Sequence, residues 1–284
     1  MKRILITGAN SYIGTSFENH IKKLEGYSVD TIDMIDGSWC EHSFSGYDTV
    51  FHVAGIAHSD TGKASEEVKK KYYSVNTDLT IETAKKAKAE GVGQFIFMSS
   101  AIVFGKKNCN INKDTVPVPD NFYGDSKLKA DEGIHKLQDE SFNVVSIRPP
   151  MIYGKGSKGN YPRLAALARK TPVFPDYPNK RSMLYIENLC EFVRLIADNN
   201  EKGIFYPQNT EYVKTADMVK EIANIYGKKI YFPRIFNPFV SLFKGIDIVN
   251  KVFGDFYYEN SMSCYKENYC IVDFAESLKR TESK

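Results

Sequence analysis

Residues 4–17 read ILITGANSYIGTSF. An apolar run enters a turn held by Gly8 and Gly14 and leaves it as a helical pattern. Such a turn needs glycine where φ is positive or where backbone must approach a phosphate. The helix start then offers unpaired N–H groups and a partial positive charge to that phosphate. Ser11 stands between the two glycines, where a third is usual. It is small, and its hydroxyl can donate to a phosphate oxygen. If position 11 needs a left-handed backbone, the strain is about 1–2 kcal/mol. The expectation is a dinucleotide loop that works with two glycines and a serine.

Outward from this loop the first half alternates. Short β-rich runs, RILITG (3–8), SVDTID (28–33), TVFHVAG (49–55), QFIFMSS (94–100) and NVVSIRP (143–149), are separated by helical stretches at 13–24, 68–91 and 123–137. In the last of these, Leu128, Ile134 and Leu137 are expected to line one side. Strands alternating with helices predict βαβ units and a parallel sheet. Near-continuous apolar strands predict a sheet covered on both faces. The fold class is therefore α/β, a Rossmann-type doubly wound parallel sheet. After residue 150 the pattern breaks. YGKGSKGNYPR and KTPVFPDYPNKR read as loops, SMLYIENLCEFVRLIADN as a strand and a helix, and TADMVKEIANIYG as a helix with Thr215 as N-cap and Gly227 as stop. The expected division is a dinucleotide-binding domain over 1–150 and a smaller substrate-binding lobe over 151–284, interleaved with the first.

Composition narrows the partners. The chain has 284 residues, 42% hydrophobic and 26% charged, with a formal net charge of +3. That charge argues for neither nucleic acid nor an anionic membrane, and the run Lys69-Lys70-Lys71 reads as a solvated helix face. Five widely spaced cysteines with no CxxC argue against a disulfide framework or a zinc site and fit a reducing cytoplasm. No metal is expected. No apolar signal segment precedes MKRILITGAN. The most apolar late stretch, IFNPFVSLFKGIDIV (235–249), is too short to span a bilayer and is expected to be a buried helix or loop pair.

Two further features turn a binding loop into an enzyme. Asp33 ends the second strand, roughly 20 residues after the turn, where a carboxylate can accept both ribose hydroxyls of the adenosine half. Met34 and Ile35 follow, with no arginine for a 2′-phosphate, which favours NAD and leaves NADP as the alternative. Ser99-Ser100 ends a strand, and YGDSK (123–127) opens a helix with Tyr123 and Lys127 four apart on one face. A tyrosine of pKa near 10 costs about 4 kcal/mol to ionise at pH 7. An ammonium one turn away and a positive nicotinamide ring both favour the phenolate. Tyr123 can then take a proton from a sugar hydroxyl, which Ser100 orients.

These motifs resemble the extended short-chain dehydrogenase/reductases, specifically the NAD-dependent epimerase/dehydratase family acting on nucleotide sugars. The resemblance runs from Met1 to about residue 195 and more loosely beyond. TGANSYIG is similar to the family's TGxxGxxG, which implies cofactor contacts from Gly8, Ser11, Tyr12, Ile13 and Gly14. HVAGIAH (52–58) resembles its strand-end segment beside the adenosine and nicotinamide ribose, implying Val53, Ala54 and Gly55. YYSVNTDLT places Asn76 at a cofactor-supporting asparagine, and SIRPPMIYG places Pro149 and Pro150 near the nicotinamide. GNYPRL makes Asn160, and KRSMLYIENL makes Arg181, the implied contacts to a substrate diphosphate. The family also implies a homodimer built on helices matching 78–90 and 123–137.

The departures shape the functional expectation. Family dehydratases follow the catalytic Ser/Thr with Asp-Glu. Here Ala101 and Ile102 stand there and neither moves a proton, so 4,6-dehydration is rejected. Many epimerases carry a threonine two residues after the serine, where this chain has Ile102. The expectation is an NAD(P)-dependent epimerase at sugar C4 on a UDP-linked substrate. The alternatives are an NAD(P)H-dependent reductase of a 4-keto-6-deoxy nucleotide sugar and a non-catalytic dinucleotide-binding regulator.

Overall fold

The computed structural model describes residues 1–57 and 64–283. Its first half runs β1 (Lys2–Thr7), α1 (Tyr12–Ile21), β2 (Tyr27–Ile32), β3 (Thr49–His52), α2 (Glu66–Tyr73), α3 (Leu79–Ala89), β4 (Gln94–Met98), β5 (Asn110–Ile111), α4 (Phe122–His135) and β6 (Asn143–Ile147). The second half adds β7 (Met151–Tyr153), α5 (Asn160–Lys170), β8 (Met183–Tyr185), α6 (Ile186–Asp198), β9 (Gly203–Phe205), α7 (Thr215–Ile225), α8 (Asn237–Leu242), α9 (Asp247–Phe253), β10 (Tyr257–Tyr258) and α10 (Phe274–Glu282).

Among the described residues, six strands form one parallel sheet in the order β2-β1-β3-β4-β6-β9. Alternation along each strand feeds two cores. Ile4, Ile6, Ile96 and Val145 face α1 and α6, while Leu5, Phe95, Phe97 and Val144 face α3 and α4. Both faces are covered, which explains the unbroken apolar runs. The chain leaves β1 for β2 on one side and returns to β3 on the other. The crevice outside the ends of β1 and β3 is thus the topological switch point, where open α/β sheets bind ligands. The last strand, β9, comes from beyond residue 150, so the sheet is completed by the second half of the chain.

Several local expectations change. The long second helix is broken into α2 and α3 by a π-helical turn at Ser74–Asp78, a feature frequent at functional sites. A helix, α5, begins inside the glycine-rich stretch read as loop; Pro162 is tolerated in its first turn, where no intrahelical N–H is needed. Thr215 is not the N-cap of α7 but its first residue. Lys214 precedes it, and the Thr215 amide is instead taken by Asn179 Oδ1 at 2.9 Å. Leu128 packs with Val103 and Phe104, while Ile134 enters the α3–α4 core, so α4 does not present them on one side. The stretch 235–249 is not buried, and most of its large side chains stand in solvent. The five cysteines are free thiols. Among the described residues no helix is long and apolar enough to cross a membrane.

Candidate active site

The glycine turn closes against β3. Gly8 has φ +123°, and a Cβ there would lie 2.7 Å from the Ala54 amide nitrogen. A Cβ on Gly14 would meet Ser11 Oγ at 2.6 Å and Val53 at 3.1 Å. Ser11 does not occupy the left-handed region: it is extended, at φ −75° and ψ 146°, and caps α1 by accepting from the Gly14 amide at 3.1 Å. Asn10 carries the positive φ instead, at 60°. The strain expected at position 11 is therefore absent, because asparagine tolerates that conformation and a serine cap stabilises the helix start. Gly14's amide is taken by the cap, which leaves those of Tyr12 and Ile13 at the positive end of α1, ahead of the first intrahelical bond. Asp33 is exposed one residue past β2, its Oδ1 accepting from the Ile35 amide at 2.9 Å.

The strand ends hold the rest. Ser99 and Ser100 diverge. Ser99 is buried and donates to Asp131 Oδ2 at 2.9 Å, whereas Ser100 hydrogen-bonds Tyr123. Tyr123 lies in the first turn of α4, whose Asn121 cap accepts from Gly124 at 2.9 Å. Close packing sets this turn in place, since a Cβ on Gly124 would lie 2.9 Å from the Ile102 carbonyl. Burial pushes the Tyr123 phenol up to about 12; the bond with Ser100 pulls it down, and Tyr72 nearby raises it. One turn along, Lys127 is buried and donates to the Met98 carbonyl at 3.0 Å. Burial lowers its ammonium to about 8, and the charge of Asp131 opposes that fall.

Gly55 makes the reach of Lys127 possible. A side chain there would sit 3.1 Å from Nζ and 3.0 Å from Asn76 Oδ1. Asn76, fully buried in the π-turn, accepts from the Ile56 amide at 2.8 Å and donates to the Ile56 carbonyl and to Ser126, both at 3.1 Å. The segment after β3 is thus pinned to α4. Pro149 closes the far wall, its carbonyl accepting from Ala101 at 3.0 Å. His58, the last residue of the HVAGIAH stretch, lies outside the described residues.

Sequence reasoning missed a buried network behind this group. Asp131 Oδ2 accepts from Arg148 Nε at 2.9 Å as well as from Ser99, and Asp131 Oδ1 finds no partner among the described residues. A signal was present: Asp131 stands four residues after Lys127, so Tyr123, Lys127 and Asp131 share one helix face.

On the substrate side, Arg181 donates through Nη1 to the carbonyls of Lys251 (2.9 Å) and Gly254 (3.2 Å). Its backbone bridges Val213 and Phe256. Asn160 is exposed at the first position of α5, and no hydrogen bond among the described residues ties it to Arg181. The structure therefore gathers the glycine turn, Val53–Gly55, Asn76, Ser100, Tyr123, Lys127 and Pro149 round the strand ends, with Asp33 at the edge.

The sequence model of the NAD dependent epimerase/dehydratase family matches residues 4–206. The chain belongs to that family. It is 29% identical over 282 residues to the UDP-glucose 4-epimerase of Vibrio cholerae, covering 89% of this chain and 86% of that protein. It is 27% identical over 302 residues to the N-acetyl-α-D-glucosaminyl-diphospho-ditrans,octacis-undecaprenol 4-epimerase of Escherichia coli O157:H7, covering 97% of this chain and 88% of that one. Among solved structures it is similar to UDP-glucuronic acid 4-epimerase from Bacillus cereus in complex with NAD. That match has a TM-score of 0.75 at 17% identity, over 98% of this chain and 96% of the other. This last likeness is one of fold.

Proposed function

We propose that the protein is an NAD-dependent C4 epimerase of nucleotide sugars, UDP-linked first, with residues 1–150 binding the dinucleotide and 151–284 the substrate. The observation that carries this reading is the Ser100–Tyr123 hydrogen bond one helical turn from buried Lys127, at the mouth of the Gly8–Ala54 crevice.

The residues present fit a dinucleotide. Any Cβ at Gly8 would fill the cradle, and the Tyr12 and Ile13 amides face it from the helix start. Asp33 is open to accept ribose hydroxyls, and Met34 and Ile35 beside it offer no cation for a 2′-phosphate, so NAD is preferred and NADP remains the alternative. Val53, Ala54, Gly55 and Pro149 wall the nicotinamide end, with Asn76 holding the Ile56 peptide. NAD, when bound, supplies the acceptor and donor of the C4 hydride. Tyr123 takes the proton from the C4 hydroxyl and returns it to the same oxygen once the keto-sugar has turned over. Ser100 orients that oxygen. Lys127, buried one helical turn from Tyr123, is assigned the positive charge that favours the phenolate against the burial that holds the phenol up at about 12.

Arg181 is assigned to the substrate diphosphate, for which a planar fixed charge suits. Asn160 is assigned to the same group. The two relatives are named for substrates with this chemistry, one a UDP-sugar and the other a sugar diphosphate on a polyprenol. Ala101 and Ile102 carry no proton-transfer group, so the reading excludes 4,6-dehydration. A homodimer through α3 and α4 belongs to the proposal, and light scattering showing only a 32 kDa monomer at micromolar protein would remove it.

One observation favours a second reading. Ile102 stands where many family epimerases carry a threonine hydroxyl, which suits a reductase of a 4-keto-6-deoxy nucleotide sugar. The deciding experiment offers UDP-hexoses and UDP-N-acetylhexosamines without added reductant, then a UDP-4-keto-6-deoxyhexose with NADH or NADPH. Interconversion of C4 epimers in the first reaction is the expected result. Silence there with stoichiometric loss of reduced-cofactor absorbance in the second replaces the epimerase by the reductase. Silence in both, with dinucleotide bound, leaves a non-catalytic regulator.

A further inference from the structure

The segment 226–256 stands apart in how much apolar surface it leaves open. Many of its large apolar side chains face solvent: Leu242 is 76% exposed, Ile235 74%, Ile248 71% and Phe239 61%, with Phe243 and Ile246 half-exposed between them. It also carries five basic residues against two acidic ones.

This exposure is built in. The other side of the same helix pair is fastened to the body. Val240 is buried, Val252 and Phe253 pack against the main core, and Phe253 lies 5.3 Å from the Phe174 ring. Asn237 donates to the Asp176 carbonyl at 3.0 Å, and Tyr177 and Ser241 share a hydrogen bond at 3.2 Å. The turn between α8 and α9 closes through Ile246 to the Phe243 carbonyl at 2.9 Å. What remains outward is a firm apolar ridge edged by cations. Soluble monomers rarely keep such a patch without a partner.

The charges decide which partner. Carboxylates near the ridge are shared among cations: Asp176 by Lys214 and Arg234, Asp247 by Lys106 and Lys251. Asp255 pairs with Lys244 at 3.5 Å and lies beside Arg181. Positive charge is left over around an apolar crest. A second copy would bring the same excess against itself, and the like charges would oppose the contact. A bilayer bearing anionic headgroups complements both features, apolar side chains entering the acyl boundary and lysine and arginine meeting the headgroups.

We infer that α8, α9 and the turn between them form a peripheral docking surface for an anionic lipid bilayer. The contact is superficial: among the described residues no helix is long and apolar enough to cross a membrane. It holds one rim of the cleft at the lipid surface. Arg181 grips the carbonyls of Lys251 and Gly254 at the foot of the ridge, and Lys106 reaches Asp247 at 2.5 Å from the turn that follows Ser100. The inference does not rest on the proposed epimerase activity.

The test is flotation of the full chain with vesicles of phosphatidylcholine alone and of equimolar phosphatidylcholine and phosphatidylglycerol. The protein should float with the anionic vesicles and bind the neutral ones at least about tenfold more weakly. A Phe239→Ser/Leu242→Ser/Phe243→Ser variant should lose flotation while keeping its melting temperature and its activity on a soluble substrate. An Arg234→Gln/Lys244→Gln variant should need less salt for release. Three outcomes overturn the inference: no binding to anionic vesicles, undiminished binding by the serine variant, or equal binding to both lipids. A dimer that the serine variant converts to monomer assigns the ridge to a second copy and overturns it too. Flotation by a protein without epimerase activity keeps this inference and removes the other.

Discussion

Two apolar stretches of this chain meet opposite ends. FIFM (95–98) and IFNPFVSLF (235–243) are comparably rich in phenylalanine and aliphatic residues. Phe95, Ile96 and Phe97 are fully buried, while Ile235, Phe239 and Leu242 are mostly exposed. The first lies in a strand flanked by β3 and β6, with helices over both faces. The second lies in short helices that have protein on one side only. Composition sets how much apolar surface a segment has. Only its neighbours decide whether that surface is covered, and an uncovered one is work left for another molecule.

The comparison is sharpened most by Tyr123→Phe, which deletes the proton carrier proposed at the buried strand ends. Turnover should fall about 10²–10⁴-fold with dinucleotide still bound, measured by steady-state rates and calorimetry. Retained turnover would move the chemistry away from these strand ends.

Next comes a matched pair of truncations. Phe51→Ala, in the sheet core, should cost about 3–5 kcal/mol in urea unfolding. Phe239→Ala, on the ridge, should change stability by no more than about 0.5 kcal/mol. Equal losses would mean that the ridge is packed after all and would break the contrast.

The buried half also carries a pH signature. His52 is fully buried between Thr7 (2.7 Å) and Thr80 (3.1 Å), and burial, with Lys127 adding, lowers it to about 3. Its folded value lies below the free value of about 6.5, so the unfolded chain takes up the proton first as pH falls. The stability it permits is complete above 6.5 and is lost progressively toward 3. At pH 5 the loss is about 2 kcal/mol. His52→Gln should remove that part of the slope from unfolding curves taken at pH 7.5 and pH 5. An unchanged slope would deny the histidine this role.

Smaller effects are expected at the rim. Asp33→Ala should erase a preference for NAD(H) over NADP(H), a change of about tenfold or about 1.4 kcal/mol in side-by-side titrations. A wild-type preference for NADPH would overturn the use made of Asp33. Smallest of all, Ser11→Gly should leave dinucleotide affinity within about tenfold, because it removes one cap and opens no clash. Ser11→Val, which cannot cap and is stiff at χ1, should weaken binding more; equal affinity would take the loop out of the site.

Legibility followed the range of the forces involved. The strands of the first half, the glycine turn and the Tyr123–Lys127 pair were readable because each depends on spacing within a few residues. The split of α2 from α3 was not, since a π-turn pinned by Asn76 to Ile56 and Ser126 depends on partners 20 and 50 residues away. The start of α7 was misplaced for the same reason, because its cap comes from Asn179 across the fold. The sequence singles out Ser100, which does hydrogen-bond Tyr123; the turning of Ser99 to Asp131, 32 residues away, is not legible in it.

By itself the sequence determined the α/β class, the parallel sheet, the dinucleotide turn and the residue types of the Ser-Tyr-Lys group, because these rest on local periodicity and on side-chain chemistry. The tertiary structure alone decided that Ser99 turns to Asp131, that Lys127 is buried beside Gly55, that Ser11 caps a helix without strain, and that 235–249 faces outward. Each of those depends on which distant surface packs against a residue, and no spacing along the chain encodes that.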